Sequence, residues 1–489
     1  MLRRTVTLIA ALLMLSAAAC GSDQPSPTPT QSADVTADTD ADRGDIVFLP
    51  GLAGSELSCG ASGNQENLWP GVQRLGVFNK QNFGALGLVN TIDGDAVRSQ
   101  ATSSQPCGSK PFRGGTVAQY PPIASSVAWC LPEPASGLPP QPHTCKRFEH
   151  GLYADFGNAV QAAADSQDRQ FVPYPWDWRL RPQDQVADLH KVIESLQQDH
   201  NAKVTIVAHS FGNILFEYWK QYVRAQGKQA GDYVGRFVGA GSPWWGVATA
   251  WTHAAYGEIQ PGLSSKVLSH VIGTKNVAST FSSAPGPYTL FPTRWYNDYI
   301  NGSTGQPWLA ASDGDASAWV AYRDVPGVIA GAMDKCPQQD TFPCMSAELY
   351  RSAGLEDVSR GFERDGIADW VQIVGAGEAT AGQICHGCKD WPTSDEQQAV
   401  PGSDAPRGLT KEVNGDLNVP VFSAIRGDDP ENPPGDKVDF FFTCGVSHMG
   451  LVNDAAVRDE LIPYLLGDAD LGYGGSFSRT PCALSDGTS

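Results

Sequence analysis

The chain has 489 residues, 41% of them hydrophobic and 18% charged, with a formal net charge of −19. That length accommodates two or three domains, or one large α/β domain with insertions, and the apolar content excludes disorder for the bulk of the chain. The acidic balance argues against a nucleic-acid partner. Beyond the extreme N-terminus, no stretch of eighteen or more apolar residues calls for a multi-span membrane protein.

The N-terminus reads as an export signal over residues 1–19: Arg3 and Arg4 precede an apolar run from Val6 to Leu15, and Ser16 to Ala19 are small. Cys20 follows directly and resembles the lipid-modified cysteine of a bacterial lipobox, although Ala17 stands where that motif prefers Leu. Two addresses remain open, a lipoprotein on the outer face of the cell membrane and a freely secreted protein. Residues 20–43 are rich in Ser, Thr, Pro and Asp and are expected to form a solvated tether. The remaining 44–489 are expected to form one domain. Ten cysteines remain after Cys20, an even number in an exported chain, which allows five disulfides. Neighbour pairing gives Cys59–Cys107, Cys130–Cys145, Cys336–Cys344, Cys385–Cys388 and Cys444–Cys482. The cluster Cys385-His386-Gly387-Cys388 lacks the second ligand pair that a zinc site needs, so a tight loop disulfide is expected there and no metal.

Asp45 to Leu49 is a short apolar run ended by Pro50-Gly51, a buried strand entering a turn. Residues 56–150, rich in Gly, Ser, Pro and Asn, read as long loops pinned by disulfides. From Gln183 to His200 the apolar residues Val186, Leu189, Val192, Ile193 and Leu196 line one face of a helix. Lys203 to Ala208 is a β-branched strand, a second helix starts at Phe211, and Arg236 to Ala240 is a further strand. Residues 247–368 interrupt this rhythm and are read as an inserted cap. Strands are predicted again at Trp370–Val374, Val419–Phe422 and Asp439–Phe442. Strand–helix–strand alternation predicts an α/β fold with a mostly parallel sheet.

Ser210 lies in Ala208-His209-Ser210-Phe211-Gly212, between a strand and a helix. This is the nucleophile-elbow pattern, with Ala in place of its first Gly; small flanking residues let a strained serine fit between strand and helix. A serine needs a base, and in elbow enzymes acid and then histidine follow it in the chain. Of the later histidines, His253 and His270 fall in the cap and His386 lies between two cysteines, whereas His448 follows the last strand. Asp416, in Gly415-Asp416-Leu417-Asn418-Val419-Pro420, is the preferred acid over Asp428, Asp429 and Asp436. An oxyanion would be held by the N–H of Phe211 and by that of Leu52 in the turn after the first strand. This chemistry calls for no metal or cofactor.

Five blocks in order carry a resemblance: Leu49 to Ser55, Trp176 to Leu180, Ala208 to Asn213, Gly241 to Gly246 and Gly415 to Pro420. They resemble the lecithin:cholesterol acyltransferase family, which includes lysosomal-type phospholipase A/acyltransferases, over roughly 45–460. The resemblance implies an α/β-hydrolase fold with a lid, a Ser-Asp-His triad, and transfer of a fatty acyl group from phospholipid to an alcohol or water. The family's usual Gly-Asp-Gly-Thr-Val-Pro is here Gly-Asp-Leu-Asn-Val-Pro. Asp177 and Arg179 are expected to pair and brace the site. Trp69, Trp244 and Trp245 suit either lipid contact or the core. The expected partner is therefore a phospholipid or other lipid ester, at a membrane surface reached through the N-terminal lipid. A general carboxylesterase or lipase, and an inactive surface lipid-binding protein, are the alternatives.

Overall fold

The computed structural model describes residues 44–61, 64–69, 86–93, 96–101, 152–256, 274–305, 307–310, 363–386, 408–427 and 438–484, with short strand segments between 103 and 148 and at 319–320 and 397–399. The signal segment, Cys20 and the tether lie outside these residues. Among the described residues no helix is long and apolar enough to cross a membrane.

Six strands form the central sheet: β1 Ile46–Leu49, β2 Phe171–Pro173, β3 Val204–His209, β4 Val234–Ala240, β5 Asp369–Ala376 and β6 Asp439–Cys444. Their order is β2-β1-β3-β4-β5-β6 and every pairing is parallel. A parallel sheet is covered on both faces, which is why β1 and β3 read as unbroken apolar runs. Alternate residues of β1 serve the two layers. Val47 and Leu49 pack with helices α2 Val186–His200 and α3 Phe211–Ala225. Ile46 and Phe48 pack with α1 Ala154–Asp165 and the C-terminal helix Ala455–Leu466. The C-terminal helix is capped by Asp454, whose carboxylate accepts from the N–H groups of Ala456 (2.9 Å) and Val457 (3.2 Å). This is the α/β-hydrolase fold.

Two expectations need correction. Val419–Phe422 is not a strand: Val421–Ala424 is a single helical turn. Pro420, extended at φ −60°, introduces that turn, and both neighbours of β5 are already taken by β4 and β6. Within 56–150, the described residues form short antiparallel ribbons in place of the expected loops. Ser55–Ala61 pairs with Asn64–Trp69 and with Ile123–Val127, and Leu88–Asp93 with Ala96–Ala101. Cys59–Cys107 ties this region together, and Cys444–Cys482 joins the end of β6 to the C-terminal tail. The other three expected pairs involve side chains outside the described residues. The helix expected from Gln183 starts at Val186, after a 3-10 turn at Pro182–Asp184.

Between β4 and β5, helices Thr249–Tyr256, Thr274–Ser283 and Arg294–Thr304 pack over the edge of the core through Trp251, Val277, Tyr296 and Ile300. After β5 the chain leaves the sheet along Glu378–His386 and returns antiparallel along Gly408–Gly415.

Candidate active site

Ser210 sits between β3 and α3 at φ 54°, ψ −122°, a conformation L-residues avoid and one that costs of order 1–3 kcal/mol. The surroundings hold it there. Its N–H donates to the Ala240 carbonyl (2.8 Å), and the Asn213 amide donates to the carbonyls of Ala208 (3.2 Å) and Ser210 (3.0 Å). Gly212 passes so close to the Leu49 carbonyl that any Cβ there would collide with it. The small residues of the elbow are thus a steric requirement.

Asp416 and His448 lie 32 residues apart and meet. His448 Nδ1 and Asp416 Oδ2 are 2.7 Å apart, both side chains are buried, and the His448 N–H donates to the Asp416 carbonyl (2.8 Å). The other carboxylate oxygen accepts from the N–H groups of Asn418 (3.0 Å) and Val419 (2.7 Å). The route by which Asp416 arrives differs from the expected strand and crossover. The antiparallel excursion after β5 brings the chain back to its own origin, so Asp416 packs on Gly375 at the end of β5. Leu417 follows at φ 80°, a region that favours glycine, and there the family pattern carries Gly. His448 lies over Gly241, at the end of β4, immediately after the residue that receives the Ser210 N–H. Serine, acid and histidine therefore converge at the C-terminal edge of three adjacent strands.

The turn after β1 runs against the serine: a Cβ on Gly51 would lie 2.8 Å from the Ser210 Cβ. Phe211 opens α3, where the first N–H groups lack intrahelical partners. Leu52 follows Gly51 in the same turn. The turn is braced by Trp176, whose indole donates to the Pro50 carbonyl (3.0 Å) and whose ring lies 4.8 Å from that of Phe211. Asp177 and Arg179 form a buried pair (2.7 Å), and Arg179 also donates to the Leu86 carbonyl (3.0 Å). Trp69 donates to the Ala53 carbonyl (2.6 Å) and packs edge-on to Trp178. Trp244 is wholly buried beneath Arg426; Trp245 is half-buried beside Tyr299.

Two residues escaped the sequence reading. Tyr153, at the head of α1, accepts the Gly51 N–H (2.9 Å), and its hydroxyl lies 2.9 Å from His209 Nδ1. His209 Nε2 in turn meets the His448 carbonyl (2.9 Å). Burial, and then the neighbouring His448, lower the His209 pKa to about 3, while burial raises that of Tyr153. No local pattern marks Tyr153, and His209 is visible only as a member of the elbow. His253, on the helix Thr249–Tyr256, packs against Phe281. His270, the His386 side chain, Asp428, Asp429 and Asp436 lie outside the described residues.

Residues 150–319 match the family model of lecithin:cholesterol acyltransferase. A phosphatidylcholine-sterol acyltransferase of Gallus gallus is 25% identical over 240 residues, covering 46% of this chain and 54% of that protein. A lysosomal phospholipase A and acyltransferase of Bos taurus is 37% identical over 76 residues, covering 15% of this chain and 18% of that protein. The chain thus spans about half the length of the first relative and under a fifth of the second. Among solved structures, one described as the Tle4–Tli4 complex aligns at TM-score 0.47 and 15% identity, covering 86% of this chain and 97% of that one.

Proposed function

We propose that the protein transfers fatty acyl groups from a phospholipid or related lipid ester to an alcohol or to water, through an acyl-serine intermediate. Ser210 Oγ attacks the ester carbonyl while His448 Nε2 takes its proton. The ring then gives that proton to the departing alcohol. Asp416 keeps the proton of the neutral ring on Nδ1 and stabilises the imidazolium. The N–H groups of Leu52 and Phe211 receive the negative charge of the tetrahedral intermediate. An acceptor alcohol or water then repeats the sequence in reverse and frees Ser210. The observation that carries this reading is the 2.7 Å His448–Asp416 contact beside a serine at φ 54°. Catalysis gives a reason for that conformation, which packing does not need. The lipid substrate class rests on the family and on the names of its relatives.

A fluorophosphonate probe tests the reading. It should label the wild-type protein and fail on Ser210→Ala, and phosphatidylcholine vesicles incubated with wild type should release fatty acid or, with an added alcohol, form its ester. Labelling and turnover that survive in Ser210→Ala would overturn it.

A further inference from the structure

We propose that Tyr153 and His209 form a positioning relay that locks the turn carrying Leu52 to the loop carrying His448. The inference rests on the triad reading above and adds two residues to it.

The hydrogen-bond directions follow from the groups present. The His448 carbonyl only accepts, so His209 Nε2 carries a proton. A neutral ring then has a lone pair on Nδ1, and the Tyr153 hydroxyl donates to it. That leaves the Tyr153 oxygen free to accept from the Gly51 N–H. Every polar atom of the relay has one partner of the right kind, and the run reads Gly51 N–H, Tyr153 O–H, His209, His448 C=O. All of it is buried, where a misdirected proton would strand a group without a partner. The ring stays neutral because burial opposes its charge.

What the relay connects gives it a role. Its first end fixes Gly51, which lies against Ser210 and precedes Leu52. Its last end fixes the backbone of His448 itself, opposite the bond from the His448 N–H to the Asp416 carbonyl. His209 precedes Ser210 in the chain, so one side chain spans from the elbow to both neighbouring loops. Tyr153 is held in turn by ring contacts to Phe48 on β1, at 4.8 Å, and by its place at the head of α1. A pair serving only to fill the core would have no need to join these two backbone segments through atoms of strict donor and acceptor order. Loss of the relay frees both loops to shift by fractions of an ångström, enough to misalign the oxyanion donors and the base while the substrate site survives. Such displacements cost up to about 100-fold in rate.

The experiment compares Tyr153→Phe, His209→Leu and His209→Gln using p-nitrophenyl butyrate, with Ser210→Ala as the blank. The relay predicts a kcat about 10- to 100-fold lower for the first two, with KM within about threefold and melting temperatures within a few degrees of wild type. The double variant Tyr153→Phe/His209→Leu should be no worse than the poorer single one, because both break the same unit. His209→Gln, whose amide retains a donor for the His448 carbonyl, should recover most of the rate. In wild type, nitrogen NMR of the histidines should show His209 as the neutral Nε2–H tautomer between pH 4 and 8, a readout that needs no variant to fold. A folded Tyr153→Phe with kcat within twofold of wild type, or a His209 ring that titrates near pH 6.5, would overturn the relay. Absence of Ser210-dependent turnover in wild type would instead overturn the triad.

Discussion

Replacing Asp416 by Asn tests the acid assignment, because the structure dictates how the new amide must face. One carboxylate oxygen accepts two backbone N–H groups, from Asn418 at 3.0 Å and Val419 at 2.7 Å. An amide nitrogen there would confront two donors, so in Asp416→Asn the amide oxygen takes that place and the NH₂ is turned toward His448 Nδ1. To accept from the NH₂, Nδ1 must give up its proton and the ring must carry it on Nε2. In that tautomer the ring cannot take the proton of Ser210. The loss expected from a triad held in the wrong tautomer is about three to four orders of magnitude in kcat, or about 4–5.5 kcal/mol. Folding should be little affected, since the bonds from the Asn418 and Val419 N–H groups are retained, as is the bond from the His448 N–H to the backbone carbonyl of the substituted residue. The assay is hydrolysis of p-nitrophenyl butyrate and of phosphatidylcholine vesicles, with a thermal melt for each protein and Asp436→Asn as the control within about tenfold of wild type. An Asp416→Asn protein that folds and turns over within tenfold of wild type would refute the assignment, and a collapse of Asp436→Asn instead would move the acid there.

Two further outcomes follow from backbone strain and from burial. Ser210→Gly should abolish probe labelling yet raise stability by about 1 kcal/mol, seen as a melting temperature about one degree higher, because glycine tolerates φ 54°; a lower melting temperature would contradict the strain. The His209 pKa is depressed to about 3 from 6.5, so its contribution to stability is whole above about pH 6.5 and is lost as pH falls toward 3, by about 3 kcal/mol at pH 4. Urea unfolding of wild type and His209→Gln at pH 7 and pH 4 should show the difference between them shrinking by that amount in acid, and a constant difference would show that the ring is not held neutral.

Where sequence served well, the signal was local. Strands β1, β3, β4, β5 and β6 stand out as apolar runs closed by turn residues, since burial on both faces leaves no alternation to confuse them. The elbow is a five-residue pattern whose steric logic the structure displays at Gly212. Composition misled at Val419–Phe422, where apolar β-formers surround a proline that turns the chain into a helix. β2 is only three residues and contains Pro173, too little to register as a strand. The ribbons of 56–150 depend on partners such as 55–61 with 123–127, which loop-like composition conceals. Tyr153 and His209 were illegible for the same reason: their bonds join residues 102, 56 and 239 positions apart.

The detour that carries Asp416 home has a consequence for how such a chain can vary. Glu378 pairs with Gly415 at the root of the excursion, so the acid's location depends on where the two arms meet and not on how far they travel. The arms are also tied farther out, where Ile384 and Cys385 pair with Leu309 and Ala310, and Leu409 to Lys411 with Gln397 to Ala399. A change of length within either arm must therefore keep Glu378 opposite Gly415 and the outer pairings in register, which makes this second sheet a gauge that sets the acid's place.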